Sequence, residues 1–354
     1  MMNPDYTRLL TAPADDRRDL FTATSQRLGT APQNVEKDFW VCWTLDALFN
    51  GAISVGPRLL FKGGTSLSKG FGLIERFSED IDITVFREDL GEGASIQELE
   101  GLSRKKREAK LDAIKAACQT FISGPLQTQL QDIVTTMIAD TGLVADGARI
   151  EIDDDDASRQ SLLLWYPTVT AASDGYIRKA VKIESGAKSA LDPHQSRRVT
   201  PYVNDDLPAL ALEIDNITIV DAERTFWDKA VILHGLRRWF DKRTLLRAGG
   251  QRVSRHYYDV HMLMAAGTGD VALANPELGR DCVAHARLFF NSPDLDLAHA
   301  EPGSFALVPS DAMITDLRRD YDAMAGMIFG EIPAFDDILA TVARLEAQLN
   351  GNAA

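Results

Sequence analysis

Residues 58–86 read RLLFKGGTSLSKGFGLIERFSEDIDITVF, and this stretch decides the fold. Its first five residues predict a short strand that stops at Gly63 and Gly64. Residues 65–74 predict a short helix, and residues 81–86 predict a second strand. A glycine turn that enters a helix between two strands indicates a sheet in which the backbone can approach a ligand closely.

Two aspartates of the second strand are candidate ligands for a metal ion. Side chains alternate along a strand, so Asp80, Asp82 and Thr84 share the face opposite to Ile81 and Ile83. The two carboxylates then start roughly 7 Å apart at the backbone and can lean onto one or two hard cations. Mg²⁺ prefers a few carboxylates together with phosphate oxygens, so such a pair suits a nucleoside triphosphate. An exposed polar strand face is the more common explanation for Asp-x-Asp alone.

The turn upstream raises the odds of a triphosphate site. In Lys62-Gly63-Gly64-Thr65-Ser66, the glycines let the backbone approach an anion, and the helix that follows presents free N–H groups. The turn precedes the aspartates by about fifteen residues. We therefore expect phosphates to be held at the turn and a metal ion at the aspartates.

These motifs resemble those of a known family. Residues 61–69 (FKGGTSLSK), followed by residues 76–82 (RFSEDID), are similar to the signature of AbiEii-type, MenT-like nucleotidyltransferase toxins, in the DNA-polymerase-β-like superfamily. Thr65 stands where the superfamily usually has Ser, which keeps the hydroxyl, and the spacer before the aspartates is slightly longer. Residues 36–41 (EKDFWV) are similar to the N-terminal helix of that family.

The resemblance implies an activity. It implies an α+β protein with a mixed sheet, flanking helices and a largely helical C-terminal domain, which transfers a nucleotide from an NTP with Mg²⁺ or Mn²⁺. It implies an RNA acceptor, with the 3′ end of tRNA as the first choice, and a block of translation. A type IV-like toxin–antitoxin system, with a cognate antitoxin encoded nearby, follows from the family as well. The residues it assigns to the nucleotide are Lys62, Gly63, Gly64, Thr65 and Ser66, and those it assigns to the metal are Asp80 and Asp82.

Three later residues are candidates for the same reaction. Helical periodicity places Lys229 inside an apolar arc, where it is either a structural ion pair or an active-site lysine. Asp259 lies four residues after Arg255, which by itself indicates a local pair. The resemblance assigns both Lys229 and Asp259 to the active site, in contact with the triphosphate. Glu184, on a predicted strand with Lys182, is the candidate third carboxylate that activates the attacking hydroxyl, although an exposed strand face explains it equally well.

Charge limits where RNA could bind. The formal net charge is −14, so a nucleic-acid substrate requires a locally basic surface. Residues 237–255 supply one, or else they form a solvated helix face. The residues we expect to contact RNA are Arg237, Arg238, Lys242 and Arg243.

The chain is expected to have two domains. Residues 1–215 would form the nucleotidyltransferase domain with N-terminal helices over residues 14–50, and residues 216–354 a mostly helical domain that completes the active site. Residues 96–141 predict two long helices that divide near Gly124 and Pro125, and three strand-like runs follow at 147–152, 161–166 and 177–184. Asp221 is the predicted N-cap of the first helix of the second domain.

Other features concern the surroundings of the protein. The run of four aspartates at 153–156 is expected to be a mobile acidic turn. Three widely separated cysteines and the lack of a long apolar run indicate a cytoplasmic protein that does not bind membranes.

Two alternatives to RNA as the acceptor stay open. The same chemistry could modify a protein or a small molecule, which the acidity of the chain mildly favours. The chain could also be an NTP-binding regulator without turnover.

Overall fold

The computed structural model describes residues 1–51, 56–144, 147–170, 178–247 and 252–351. The chain forms two compact units. The first consists of Met1–Gly72, Phe77–Ser95 and Leu102–Val220, and the second of Leu73–Arg76, Ile96–Gly101 and Asp221–Ala354. Two short segments of the N-terminal half, one of them ending at Arg76, therefore belong to the second unit.

The first unit is built on a mixed seven-stranded sheet with the order β3-β4-β5-β2-β1-β7-β6. The strands are β1 (Leu59–Lys62), β2 (Asp80–Val85), β3 (Arg149–Ile152), β4 (Ser161–Trp165), β5 (Ala180–Gly186), β6 (His194–Val199) and β7 (Ile214–Val220). Strand β2 is central, antiparallel to β1 and parallel to β5. A mixed sheet with helices confirms the predicted α+β class.

The helices follow the chain in this order: α1 (Pro4–Thr11), α2 (Ala14–Leu28), α3 (Pro32–Asp46), α4 (Gly63–Lys69), α5 (Ile96–Glu100), α6 (Arg104–Phe121), α7 (Gln127–Thr141), α8 (Ala222–Arg243), α9 (Ser254–Ala265), α10 (Thr268–Leu273), α11 (Pro276–Phe289), α12 (Asp311–Met324) and α13 (Phe335–Leu349). No helix among the described residues has the length and apolar character that crossing a membrane requires.

Helix α3 forms the centre of the helical packing on the first unit. All its residues from Asn34 to Asp46 are buried, and Trp40 stacks on Tyr166 with ring centroids 5.3 Å apart. Because the helix is buried on every side, its charged residues must find partners inside the protein. This requirement explains the ion pairs described below.

Local pattern predicted the strands beside the glycine turn well. The short helix ends earlier than expected, at Lys69, and residues 96–141 form the brief α5 and two long helices joined through a π-helical turn that contains Pro125. Strands β6 and β7 were not predicted. Only Val199 is buried in β6, so this edge strand carries almost no apolar signal.

Among its described residues, the regular structure of the second unit is helical, with one isolated β-bridge between Arg76 and Ile328. Helix α8 is its longest, and Asp221 takes the predicted N-cap position in extended conformation. Residue 215, where the sequence placed the boundary, lies inside β7, so the first unit continues to Val220.

Candidate active site

The two aspartates of β2 lie beside a third carboxylate. Asp82 is paired in register with Lys62 of β1 and with Glu184 of β5, and Asp80 is paired with Lys182. Paired residues of neighbouring strands project from the same face, about 4.8 Å apart at the backbone. The sheet therefore places Asp80, Asp82 and Glu184 on one face.

Negative charge is concentrated at Asp80. Burial, together with the neighbouring Glu79, Glu184 and Asp82, raises the pKa of Asp80 to about 6, although Lys37 acts in the opposite direction. Carboxylates that repel one another in a partly buried place form a favourable environment for a hard cation.

Gly63 lies directly against this carboxylate face. It has a φ of +82°, and a Cβ atom at this position would lie 2.2 Å from Oδ2 of Asp82. The left-handed backbone favours glycine at this position, and a Cβ atom here would also force the Asp82 carboxylate to move. The glycine turn and the metal-binding candidate form one continuous surface of the first unit.

The hydroxyls of the turn bond to the protein itself. Thr65 is buried, and its Oγ1 donates to the backbone carbonyl of Asp80 and lies 2.7 Å from Oγ of Ser78. Oγ of Ser66 donates to the carbonyl of Gly63 at 2.9 Å. Thr65 thus ties the turn to β2, and Ser66 closes the turn on itself. Their contact with a nucleotide stays a prediction, and the backbone N–H groups of the turn are the better candidates for it.

The donor set fits a divalent cation that also binds substrate. Mg²⁺ is commonly held by one or two carboxylates and completes its shell with water and phosphate oxygens. Asp80 and Asp82 provide such a pair with hard oxygen donors. Within the described residues, no group of three or more His, Cys, Asp or Glu side chains is arranged as a metal cage. Two carboxylates leave coordination positions open, which phosphate oxygens of a nucleotide are suited to fill.

Helix α3 braces the start of β2. The Lys37 side chain is almost fully buried, and its Nζ donates to Glu79 at 2.6 Å and to the carbonyl of Arg178 at 3.2 Å. Lys37 thereby links the residue before Asp80 to the segment that enters β5. Residues 36–41 of this helix resemble the family, but no local pattern in the sequence indicates a role for Lys37.

The far end of α4 is anchored in a similar way. Lys69 and Asp38 form a salt bridge in which both side chains are at most 4% exposed. The Lys69 ammonium also lies 3.2 Å from the centroid of the Tyr202 ring, and the Tyr202 amide donates to Asp38 at 2.8 Å. The short helix that carries the glycine turn is thus fixed at its C-terminus by a buried cation.

The aspartate run at 153–156 forms a turn, as expected, and two of its side chains have partners in the protein. Asp153 is buried, and its carboxylate pairs with Lys182 at 3.4 Å and with Arg178 at 3.6 Å. Asp156 accepts hydrogen bonds from the amides and hydroxyls around it, including the hydroxyl of Ser161 at 2.8 Å. The run closes the connection between β3 and β4.

Lys229 and Asp259 meet in the second unit. The fully buried Asp259 accepts from Nζ of Lys229 at 2.7 Å and from Nε and a terminal nitrogen of Arg76 at 2.7 and 2.9 Å. Burial alone would raise the pKa of Asp259, but the two cations outweigh it and hold that pKa well below its usual range. Burial lowers the pKa of Lys229, and Asp259 opposes this shift. The inward position predicted for Lys229 is confirmed.

The partner predicted for Asp259 from helical spacing was wrong. Arg76 takes the bidentate position, and the described residues show no salt bridge between Asp259 and Arg255. Arg76 comes from 183 residues upstream, so periodicity within α9 could not have identified it.

A family profile described as the nucleotidyl transferase AbiEii toxin of a type IV toxin–antitoxin system matches residues 46–341, most of the chain. The chain belongs to the AbiEii nucleotidyltransferase toxin family. The family resemblance seen in the sequence is therefore confirmed, and with it the assignment as a nucleotidyltransferase of a toxin–antitoxin system.

A solved structure is also similar to this AbiEii-family chain. It is MenT4, a nucleotidyltransferase toxin from Mycobacterium tuberculosis H37Rv, with 15% identity and a TM-score of 0.43. The match covers 95% of this chain and 99% of MenT4. None of the curated proteins matches the sequence.

The basic residues that we expected to contact RNA in this AbiEii-family chain have partners within the second unit. Arg237 pairs with Asp241 at 2.9 Å and donates to the Val308 carbonyl, and Lys242 donates to the Pro293 carbonyl. The other two pair with carboxylates as well: Arg238 with Asp241 and Asp296, and Arg243 with Asp294. Their local positive charge is partly neutralised, and RNA contact by these residues stays a prediction.

Proposed function

We propose that this AbiEii-family chain transfers a nucleoside monophosphate from an NTP to RNA, with the 3′ end of tRNA as the acceptor, and that this transfer blocks translation. The observation that carries the proposal is the single face of β2 and β5 that carries Asp80, Asp82 and Glu184, with Asp82 directly against Gly63. We place the reaction in the cytoplasm, where the three cysteines, all free and buried, would stay reduced.

In this mechanism the backbone of the turn binds the triphosphate. Asp80 and Asp82 would hold Mg²⁺ or Mn²⁺, which would supply charge neutralisation at the reacting phosphate. The acceptor hydroxyl oxygen forms a bond to the α-phosphorus, and the bond from that phosphorus to the bridging oxygen breaks, releasing pyrophosphate. Glu184 takes the hydroxyl proton. Positioning and electrostatics provide most of the rate.

Lys229 and Asp259 enter the proposal through the family resemblance. It assigns them to the triphosphate, and substitution tests this role. Lys229→Met should reduce transfer strongly, and a variant that transfers as fast as the wild type would remove Lys229 from the mechanism. The toxin family also implies an antitoxin partner, which we expect to be encoded beside this chain.

The direct test incubates the protein with total tRNA, Mg²⁺ and each α-labelled NTP in turn. Asp80→Asn keeps the shape of the side chain and removes the charge, so it should abolish labelling of tRNA. Asp154→Asn makes the same charge change at an exposed aspartate and should leave labelling intact. Label on tRNA with the wild type and Asp154→Asn alone supports the proposal, and an active Asp80→Asn protein refutes it.

A protein acceptor is the second candidate. It is favoured by the net charge of −14 and by the intramolecular partners of the basic residues on α8. Label that enters protein but no RNA, and that requires Asp80, would establish this alternative. NTP binding without pyrophosphate release would instead identify a regulator.

A further inference from the structure

Lys182 joins the aspartate run to the carboxylate face of the sheet. Its Nζ lies 2.8 Å from Oε1 of Glu184 and 3.4 Å from Oδ2 of Asp153. Its backbone is paired in register with Asp80 across the β2–β5 ladder. The Lys182 ammonium group therefore lies between the buried carboxylate of Asp153 and the carboxylate of Glu184, which belongs to the candidate site.

The two ends of this bridge differ in burial. The Asp153 side chain is 3% exposed, whereas that of Glu184 is 44% exposed. A buried carboxylate needs a counter-charge, and Lys182 supplies one to Asp153 together with Arg178, which lies 3.6 Å away. A partly exposed side chain such as that of Glu184 has more rotamers open to it than a buried one, so a fixed partner restricts it more. The buried aspartate is thus the anchor, and the glutamate is the group that is held.

The electrostatics agree with this arrangement. Burial works against the charge of Lys182, but Glu184 and Asp153 outweigh burial and raise the pKa of Lys182. The lysine stays cationic at neutral pH, on the same face as Asp80 and Asp82. A fixed positive charge there orients Glu184 and also opposes the entry of a second cation.

We propose that Asp153 and Lys182 are positioning residues of the transfer reaction, which hold the Glu184 carboxylate toward the acceptor and set how tightly the Asp80/Asp82 face takes a divalent cation. This inference rests on the proposed function for the role of Glu184. Its electrostatic part concerns the residues of this chain alone, and metal binding tests it without turnover.

The first experiment measures Mn²⁺ binding to the protein without nucleotide, by calorimetry. Lys182→Met removes the opposing charge and should tighten binding about five- to tenfold at low salt. Lys182→Arg keeps the charge and should bind as the wild type does. Asp153→Asn releases the ammonium from its anchor and removes a negative charge, so it should weaken binding.

Asp154→Asn is the matched control. It makes the same change one residue away at an exposed position, and it should leave Mn²⁺ affinity within twofold of the wild type. The fold should tolerate Lys182→Met, because Arg178 remains 3.6 Å from Asp153. Unchanged or weaker Mn²⁺ binding by Lys182→Met overturns the proposal, as does an Asp153→Asn variant that binds like the control.

The second experiment measures single-turnover transfer at saturating Mn²⁺. Lys182→Met should slow transfer at least tenfold, and Lys182→Arg should restore most of the rate. If Lys182 acts through Glu184, the double variant Lys182→Met/Glu184→Gln should be no slower than Glu184→Gln alone. Additive losses would contradict this. A wild type that transfers nothing would refute the proposed function. The Mn²⁺ affinities would still test the electrostatic part of the inference, because Lys182→Met should bind Mn²⁺ more tightly and Asp153→Asn less tightly than the wild type.

Discussion

Replacing Gly63 by alanine tests how closely the turn and the carboxylates depend on each other. The added Cβ would lie 2.2 Å from Oδ2 of Asp82, and ordinary contact begins at 3.4 Å. The carboxylate must therefore retreat by about 1.2 Å. A displacement of about 1 Å in a reacting geometry can cost on the order of 100-fold in rate. We expect Gly63→Ala to lose about two orders of magnitude in single-turnover transfer.

Gly72→Ala is the control for this prediction. Gly72 has a φ of +64°, close to that of Gly63, but nothing lies within 4 Å of an added Cβ. Both variants pay about 1–2 kcal/mol for a left-handed alanine, so thermal unfolding should shift by similar amounts. Only Gly63→Ala should lose transfer. Equal activities of the two variants at saturating NTP would show that the contact between Gly63 and Asp82 does not matter for the reaction.

Three further predictions concern the buried ion pairs. Asp259→Asn leaves Arg76 and Lys229 without their counter-charge and should cost about 3–5 kcal/mol in urea unfolding; a loss below about 1 kcal/mol would contradict the role given to this pair. The pKa of Asp259 is lower in the folded protein than in the unfolded chain, so ionised Asp259 stabilises the fold above pH about 3.9 and this stabilisation is lost as the pH falls below that value. The free energy of unfolding of Asp259→Asn should therefore depend less steeply on pH in this range than that of the wild type. Lys69→Met leaves Asp38 buried without its partner and should destabilise by a similar 3–5 kcal/mol, whereas Lys69→Met/Asp38→Leu should recover part of that loss; full additivity of the two changes in a denaturation series would argue against direct coupling.

Short-range patterns were sufficient for the central part of the first unit. Alternation along β2 predicted that Asp80 and Asp82 share a face, and the glycine turn marked the end of β1. Periodicity along α8 predicted the inward position of Lys229. In each case the information lies within a few residues, because a strand or helix repeats its own geometry.

The supporting contacts could not be predicted in this way. Arg76 and Asp259 are 183 residues apart, and Lys37 reaches a carbonyl 141 residues away. Asp153 can be buried because Arg178 and Lys182 neutralise its charge, and the run of four aspartates in the sequence does not indicate these partners. Such pairs depend on the tertiary fold, which brings distant segments of the chain together, and a single sequence carries no local signal for these contacts.

The buried lysines have a common physical meaning. Lys37, Lys69 and Lys229 are each at most 7% exposed at the side chain, and each meets a carboxylate from a distant part of the chain. A buried ion pair is often no more stable than apolar residues of the same volume, because desolvation offsets the attraction. Stability alone therefore gives little reason for three of them. What an ion pair adds is a fixed orientation, since a misaligned charge in the interior is costly. Lys37 and Lys69 fix the two segments of the first unit that carry Asp80 and the Gly63 turn, and this explains why charge is buried beside a site whose chemistry depends on position.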